Sequence, residues 1–321
     1  MAPRVLVIRL GAIGDVVNAL VFASALVDAD PDTRIGWAAH DLVLPLLERN
    51  PVVDRVHHWP RAAGVRGGFA LARELRAARY DVAVDLQRIA KSAALARYSG
   101  AERVVGFDRA RTKEGAWLLT TERVAPGPAD EHMVDRYLAV ARHLGAPQAP
   151  PRWSLPTDDA AERAIEMQLG DTRPIVVNLG ASKPKNRWSA SGFAEVVREL
   201  AADGPVAVTG GPDDRALFPE LFAELPPGVL DLVGRTNLLE LAALARRART
   251  VVTCDTGPMH IAVATGAPVV ALFGPADPGR TGPYGAGHRI VRPRGESRRM
   301  ADLEARDVVA AVRAQFEDSS R

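Results

Sequence analysis

Short runs of β-branched and apolar residues alternate with helical segments along most of this chain, and this alternation constrains the fold more than any other feature. The first run extends from Val5 to Leu10, and a glycine loop and a helix from Val16 to Val27 follow it. Runs that are mostly apolar are typical of strands buried on both faces, and short connections favour parallel βα units. The sequence therefore predicts an α/β fold with parallel sheets.

The alternation occurs in two blocks. In the first we expect strands at 5–10, 35–38, 54–57, 82–86 and 104–107, and helices at 16–27, 42–48, 68–78, 89–96 and 132–144. In the second we expect strands at 175–179, 206–209, 230–233, 251–254 and 268–273, and helices at 158–169, 191–202, 215–224, 238–246 and 262–265, then a last helix at 303–316. Each block has the pattern of a doubly wound, Rossmann-like domain.

Three prolines between Gly145 and Pro151 indicate a linker between the blocks. We therefore expect a first domain over 1–150, a second over 151–300, and a C-terminal helix within 301–321 that packs back on the first domain. Two such domains joined by a linker imply a cleft that a ligand could share between them.

Composition excludes several classes of protein. A net charge of +2 over 321 residues predicts no nucleic-acid partner, and the single Cys254 excludes a disulfide framework and a cysteine-rich metal site. The apolar run at the N-terminus is too short for a signal peptide, and no run is long enough to span a membrane. We expect a cytoplasmic protein whose membrane contact, if it has any, is peripheral.

An anion site is predicted where the strand Val251–Cys254 meets the next helix. Thr256 suits the N-cap, Pro258 suits the first helical turn, and Gly257 lets the backbone approach a ligand closely. Free amides and the positive end of the helix dipole would then face the space beyond the strand. A second strand, Pro268 to Phe273, ends in another glycine and proline loop at the same edge.

The first βα loop has the sequence Gly11-Ala-Ile-Gly14-Asp15. Its glycine spacing differs from the GxGxxG of dinucleotide-binding proteins, which disfavours a nicotinamide dehydrogenase. Asp15 lies near a helix N-terminus, where the dipole favours a carboxylate. From the loop alone, Asp15 is either a helix-stabilising carboxylate or a functional group at the mouth of the sheet.

These two loops together, IRLGAIGDVV and CDTGPMHIAVATGAPVVALFGPADP, resemble glycosyltransferase family 9, the ADP-heptose lipopolysaccharide heptosyltransferases. The segments YDVAVDLQRIAKSA, RVVGFDRARTKEGA, HMVDRYL, NLGASKPKNRWSASGF and VTGGPDDR extend the resemblance over nearly the whole chain. It implies a GT-B architecture that holds the acceptor mainly on the first domain and ADP-heptose mainly on the second. It also implies inverting transfer without a metal, and the chain has no cluster of cysteine and histidine residues with the spacing of metal ligands.

The resemblance implies that Asp15 is the base for the acceptor hydroxyl, since a carboxylate suits that role. Without a cation, the amides of Thr256 and Gly257, with His260 one turn further on, are the candidates to stabilise the leaving diphosphate, although His260 could instead be a packed helical histidine. Asp255 would cap the loop or contact sugar hydroxyls. Relatives have an acidic ribose ligand near GGPDDR, and either Asp214 or Asp213 could take that role. The remaining donor contacts implied by the resemblance are Gly14, Ser182, Lys183 and Lys185.

Two positions depart from the family pattern. The family usually has a phosphate-contacting lysine two residues before the tryptophan of the middle loop, but Asn186 stands there in this chain. Lys185 and Lys183 are close enough to replace it, or they are solvated loop lysines. Trp188 is expected to pack the loop against the following helix. Arg88 replaces a glycine that is common in relatives.

Cations on the first domain suit a phosphorylated, carboxylate-bearing acceptor such as Kdo-lipid A. We expect acceptor contacts from Arg61, Lys91, His132 and Arg136 as a group, although for any one of them taken singly a solvated charge is the favoured interpretation. Two other interpretations remain open at this stage. The same fold could use another nucleotide sugar or a non-lipid acceptor, or the chain could be a non-enzymatic sugar-nucleotide-binding protein.

Overall fold

A computed structural model describes residues 3–125, 127, 130–181 and 183–319. The chain divides into two compact units between Pro156 and Thr157. Over the part of the chain that the structure describes, each unit contains one sheet of six strands, and every strand pair that it forms is parallel. The predicted α/β class is therefore confirmed.

The first unit has the strand order β3-β2-β1-β4-β5-β6. Its strands are β1 Arg4–Ile8, β2 Arg34–Ala39, β3 Arg55–His58, β4 Val82–Asp85, β5 Arg103–Phe107 and β6 Glu122–Val124. Its α-helices are α1 Ile13–Ala29, α2 Leu44–Leu47, α3 Gly64–Ala78, α4 Ala90–Tyr98 and α5 Met133–His143. Leu6 and Ile8 of β1 form a core with Leu71 and Leu75 of α3, because the apolar side of α3 faces the sheet.

The second unit repeats this arrangement with the order β12-β11-β10-β7-β8-β9. Its strands are β7 Ile175–Asn178, β8 Val206–Thr209, β9 Leu230–Asp231, β10 Thr250–Cys254, β11 Val269–Leu272 and β12 Arg289–Val291. Its α-helices are α6 Asp159–Leu169, α7 Ala190–Ala201, α8 Asp214–Leu217, α9 Pro219–Ala223, α10 Leu238–Arg247, α11 Gly257–Ala264, α12 Pro278–Thr281 and α13 Ala305–Ser319. Trp188, Phe193 and Phe218 stack edge to face within its core.

The C-terminal helix differs from the expectation. α13 packs on α7, β11 and β12, and Val308 and Val312 are buried in the core of the second unit. Its apolar stripe therefore completes the second core, whereas the sequence alone suggested packing on the first domain.

The boundary between the units also falls later than the predicted 150. The Ser154 hydroxyl lies 2.8 Å from that of Ser24, and the Ser154 carbonyl accepts a 2.8 Å hydrogen bond from Asn50. These contacts attach the residues that follow the proline-rich stretch to the first unit. None of the helices over the described residues is both long and apolar enough to cross a membrane.

Candidate functional site

In each unit, the order of the strands reverses between two neighbours. The reversal lies between β1 and β4 in the first sheet and between β10 and β7 in the second. The loops that leave such strands diverge to opposite faces of the sheet, which opens a crevice at their carboxyl ends where α/β proteins bind ligands. The loop containing Asp15 and the loop containing Thr256 each follow one of these strands.

At the first reversal, Asp15 lies in the first turn of α1 and forms an ion pair with Arg9. The Arg9 side chain is almost fully buried, whereas the Asp15 side chain is 41% exposed. The buried cation therefore pairs with a carboxylate that is still accessible to solvent. Our sequence interpretation did not assign a role to Arg9, because it placed this residue inside the predicted strand 5–10.

A hydrogen bond connects the two loops at this reversal. The backbone amide of Leu10 donates to Gln87 Oε1 at 2.7 Å. Behind it, the buried Asp85 carboxylate accepts from the amides of Gln87 and Arg88 at 3.0 and 3.1 Å. Burial raises the pKa of Asp85 to about 6. The loop before Asp15 is thus hydrogen-bonded to the turn that follows β4.

Beside this loop lies a cavity of about 860 Å³ between α3 and α4. The residues that line it include Leu10, Gly11 and Ala12 of the loop before Asp15, and Gln87. Two predicted acceptor residues, Arg61 and Lys91, also line it. Lys91 Nζ lies 3.8 Å from the centre of the Trp59 ring, and burial and then the nearby Arg61 lower the pKa of Lys91. Two cationic side chains thus line the cavity beside the loop that precedes Asp15, and such an arrangement suits a ligand with anionic groups.

The other two predicted acceptor residues lie at the start of α5 and do not line this cavity. His132 is the N-cap of α5, and its Nδ1 accepts from the amide of Val134 at 3.1 Å. Arg136 Nε donates to the carbonyl of Asp130 at 3.2 Å. These contacts give both residues a role in ending the loop before α5, and their contact with an acceptor stays a prediction.

At the second reversal, Asp255 and Thr256 connect β10 to α11. Thr256 occupies the N-cap position as predicted, but its side chain makes no capping hydrogen bond. Pro258 lies in the first turn, and His260 is buried within the helix. The polypeptide therefore starts a helix at the carboxyl end of a central strand, which is the geometry that binds anions through backbone amides.

Asn186 is joined to this helix start. It ends a short 3₁₀ helix, Pro184–Asn186, and its Nδ2 donates to the Asp255 carboxylate at 3.2 Å. Asn186 is buried, whereas Lys183 and Lys185 on the same turn are exposed. The residue at the family's lysine position therefore connects two loops, and the cationic side chains stand beside it. Ser182 lies outside the described residues.

Trp188 and Asp214 support the same loops. Trp188 is buried against Phe193 of α7, and its Nε1 donates to the carbonyl of Leu303 at 3.1 Å, which confirms the predicted packing role. The Asp214 carboxylate accepts from the amide of Gly211 at 2.7 Å. It also lies near Gly180, at the carboxyl ends of β7 and β8. Its proposed contact with a ribose stays a prediction.

The described residues contain no group of three or more His, Cys, Asp or Glu side chains placed to hold a metal ion.

Comparison with known proteins identifies the class. The family profile of glycosyltransferase family 9 (heptosyltransferase) matches residues 68–310. The chain belongs to this family and is a glycosyltransferase, as the two loops indicated. E. coli ADP-heptose LPS heptosyltransferase II has the same GT-B fold, with a TM-score of 0.82 and 26% identity over 99% of this chain and all of that one.

Two relatives with similar sequences are also named heptosyltransferases. The chain is 28% identical to the lipopolysaccharide core heptosyltransferase OpsX of Haemophilus influenzae, over 88% of this chain and 82% of that protein. It is also 28% identical to lipopolysaccharide heptosyltransferase 1 of Pseudomonas aeruginosa, over 88% of this chain and 81% of that one. The chain is therefore similar, over most of its length, to two proteins that are named lipopolysaccharide heptosyltransferases.

Proposed function

We propose that this enzyme transfers a heptose from ADP-heptose to the inner core of lipopolysaccharide, with inversion at the anomeric carbon and without a metal ion. The acceptor would be Kdo-lipid A or heptosyl-Kdo-lipid A. The observation that carries the proposal is the exposed Asp15 carboxylate, held by Arg9 beside a cavity with two cations. Similarity to heptosyltransferases over most of the chain supports the choice of sugar.

In the proposed reaction, Asp15 takes the proton of the acceptor hydroxyl as its oxygen attacks the anomeric carbon. The bond between that carbon and the diphosphate oxygen breaks, and ADP leaves with the electron pair. Arg61 and Lys91 would hold the anionic groups of the acceptor in the cavity. Positioning by these residues lowers the entropic part of the barrier.

On the second unit, the amides of Thr256 and Gly257 and the side chain of His260 would stabilise the departing diphosphate. Because Asn186 bonds to Asp255, the positive charge that relatives supply at this position would come from Lys185 or Lys183. The other donor contacts that we propose are Gly14, Ser182, Asp214 and Asp255. The enzyme would act at the cytoplasmic face of the inner membrane, where its lipid acceptor would be presented.

A second candidate keeps the fold and changes the substrates. Asn186 and Arg88 both depart from the family pattern and both lie in the loops that would bind substrate. Another nucleotide sugar or a non-lipid acceptor is therefore the alternative. A panel of ADP-, UDP- and GDP-sugars with the purified enzyme separates the two, since a preference for UDP- or GDP-sugars contradicts the heptose assignment.

The proposed role of Asp15 is tested by Asp15→Asn, with transfer from ADP-heptose to truncated core acceptors measured by mass. We expect kcat to fall by at least about a hundredfold, because the neutral side-chain amide of asparagine is too weak a base to take the proton of the acceptor hydroxyl. ADP binding, measured by calorimetry, should stay within about twofold.

Asp135 controls for the position of the carboxylate in the helix alone, because Asp15 also pairs with the buried Arg9. It is the third residue of α5, as Asp15 is the third residue of α1. If Asp15 only stabilises a helix start, Asp15→Asn and Asp135→Asn will have equally small effects on transfer, and the assignment of Asp15 as the base is wrong.

A further inference from the structure

The cavity beside the Asp15 loop is surrounded by apolar side chains that a sugar-phosphate acceptor does not need. Among the large apolar side chains exposed over the described residues, Val65, Phe69 and Tyr98 all line this cavity. Their exposed fractions are 76%, 66% and 64%. Single exposed apolar residues are ordinary, but a group of them on one face indicates a binding surface.

The backbone of α3 makes these side chains protrude. Leu71 and Leu75 fix one side of the helix on the sheet. At its first turns, a Cβ on Gly67 or Gly68 would lie 2.9 or 2.8 Å from the Trp59 ring, so these glycines let the helix lie directly on the tryptophan. Val65 and Phe69, one helical turn apart, are consequently directed away from the sheet, towards α4 and solvent.

The same face is positively charged. Arg66 and Arg73 are exposed on α3, beside Phe69. The acidic residue of α3, Glu74, is already bonded to His57 at 2.6 Å and to Arg55 at 3.2 Å. An apolar strip flanked by arginines matches the chemistry of an anionic lipid surface, which offers hydrocarbon below and negative head groups above.

We propose that this α3–α4 face, defined by Val65, Arg66, Phe69, Arg73 and Tyr98, docks on an anionic lipid bilayer. The inference deepens the proposed function and rests on it. An acceptor anchored in that bilayer would enter the cavity, which is lined in part by the loop before Asp15. A second copy of this chain is a poorer occupant. A two-fold interface centred on this face would bring Arg66 and Arg73 close to the same residues of the other copy.

Vesicle sedimentation tests the proposal with the full-length protein. We expect binding to vesicles of phosphatidylglycerol and phosphatidylcholine, and at least about tenfold weaker binding to phosphatidylcholine alone. Val65→Ser/Phe69→Ser should weaken binding to the mixed vesicles by about tenfold or more, because burial of these side chains in the bilayer drives insertion. Arg66→Ser/Arg73→Ser should remove most of the preference for phosphatidylglycerol.

The matched control is Arg163→Ser/Met167→Ser on α6. Arg163 and Met167 lie one turn apart and are both exposed, as Arg66 and Phe69 are on α3. The Met167 side chain is 82% exposed. The control should bind vesicles as the wild type does. Thermal unfolding of all variants should stay within a few degrees, since the substituted side chains are exposed.

Three results would overturn the proposal. They are no binding of the wild type to phosphatidylglycerol vesicles, equal losses in the α3 and α6 variants, or a wild-type dimer that Val65→Ser/Phe69→Ser converts to a monomer in analytical ultracentrifugation. Transfer to a water-soluble truncated acceptor is measured separately. The proposed reaction therefore fails or succeeds independently of vesicle binding.

Discussion

Arg9 and Asp15 have opposite charges and very different exposure, and this difference suits a reactive carboxylate. A buried cation is stable here because a carboxylate neutralises it, and removal of one partner would leave an uncompensated charge. The pair restricts Asp15 to one orientation at the end of β1. At this scale the sequence predicted Asp15 and failed to predict Arg9, because a single arginine after a strand has many possible partners until the fold is known.

Substitution of Arg9 tests whether it positions Asp15. We expect Arg9→Met, which keeps the side-chain volume, to lower kcat roughly tenfold to a hundredfold, because a displaced base loses catalytic geometry. KM for ADP-heptose should change little. Arg9→Lys should restore part of the loss, since it keeps the charge without the planar guanidinium. A kcat for Arg9→Met equal to that of the wild type would show that Asp15 needs no such partner.

The turn between β4 and α4 contains Arg88 at a position where the family usually has glycine. Arg88 has a φ of 69°, in the left-handed region that favours glycine, and glycine is the residue that the resemblance led us to expect there. The turn keeps this conformation because Asp85 binds its two amides. The sequence thus identified Arg88 as unusual, whereas the role of Asp85 depends on burial that sequence does not reveal.

Asp85 should make the stability of this turn depend on pH. Its folded pKa of about 6 lies above the ordinary value of 3.8, so the folded state favours the neutral acid. Neutral Asp85 therefore contributes fully to the free energy of unfolding below about pH 4, and this contribution is lost as the pH rises through about 6. Asp85→Asn should therefore be more stable than the wild type at pH 7.5 by on the order of 2 to 3 kcal/mol, and nearly equal at pH 4. Urea unfolding at both pH values measures this, and a difference that does not vary with pH would contradict it.

Strands and helices were predicted correctly where the residue types of a segment allow only one regular structure that buries them. Short runs of buried β-branched and apolar residues such as Val206–Thr209 form the predicted strands, because a strand in the middle of the sheet buries both of their faces. The predicted helix 215–224 is instead two short helices, since Pro219 cannot donate the hydrogen bond that would continue the first. The strands β6 and β12 were missed because three residues carry too little periodicity.

On the scale of the whole molecule, each unit has its own sheet and its own buried core. Each proposed site also lies at the strand reversal of its own sheet. The two-block organisation could therefore be predicted from the alternation and the prolines. The packing of α13 could not, because an amphipathic helix fits any apolar surface of suitable shape, and only the complete core of the second unit shows which one it fits.

Separate cores predict that the units fold independently. Residues 1–156 and 157–321, expressed separately, should each unfold cooperatively, with free energies of unfolding of about 5 to 15 kcal/mol. If the donor contacts lie mainly on the second unit, the 157–321 fragment should bind ADP within about tenfold of the full chain in calorimetry, and the 1–156 fragment should not bind it. A folded 157–321 fragment that binds ADP a hundredfold more weakly would instead assign part of the donor site to the first unit, where Gly14 is the candidate.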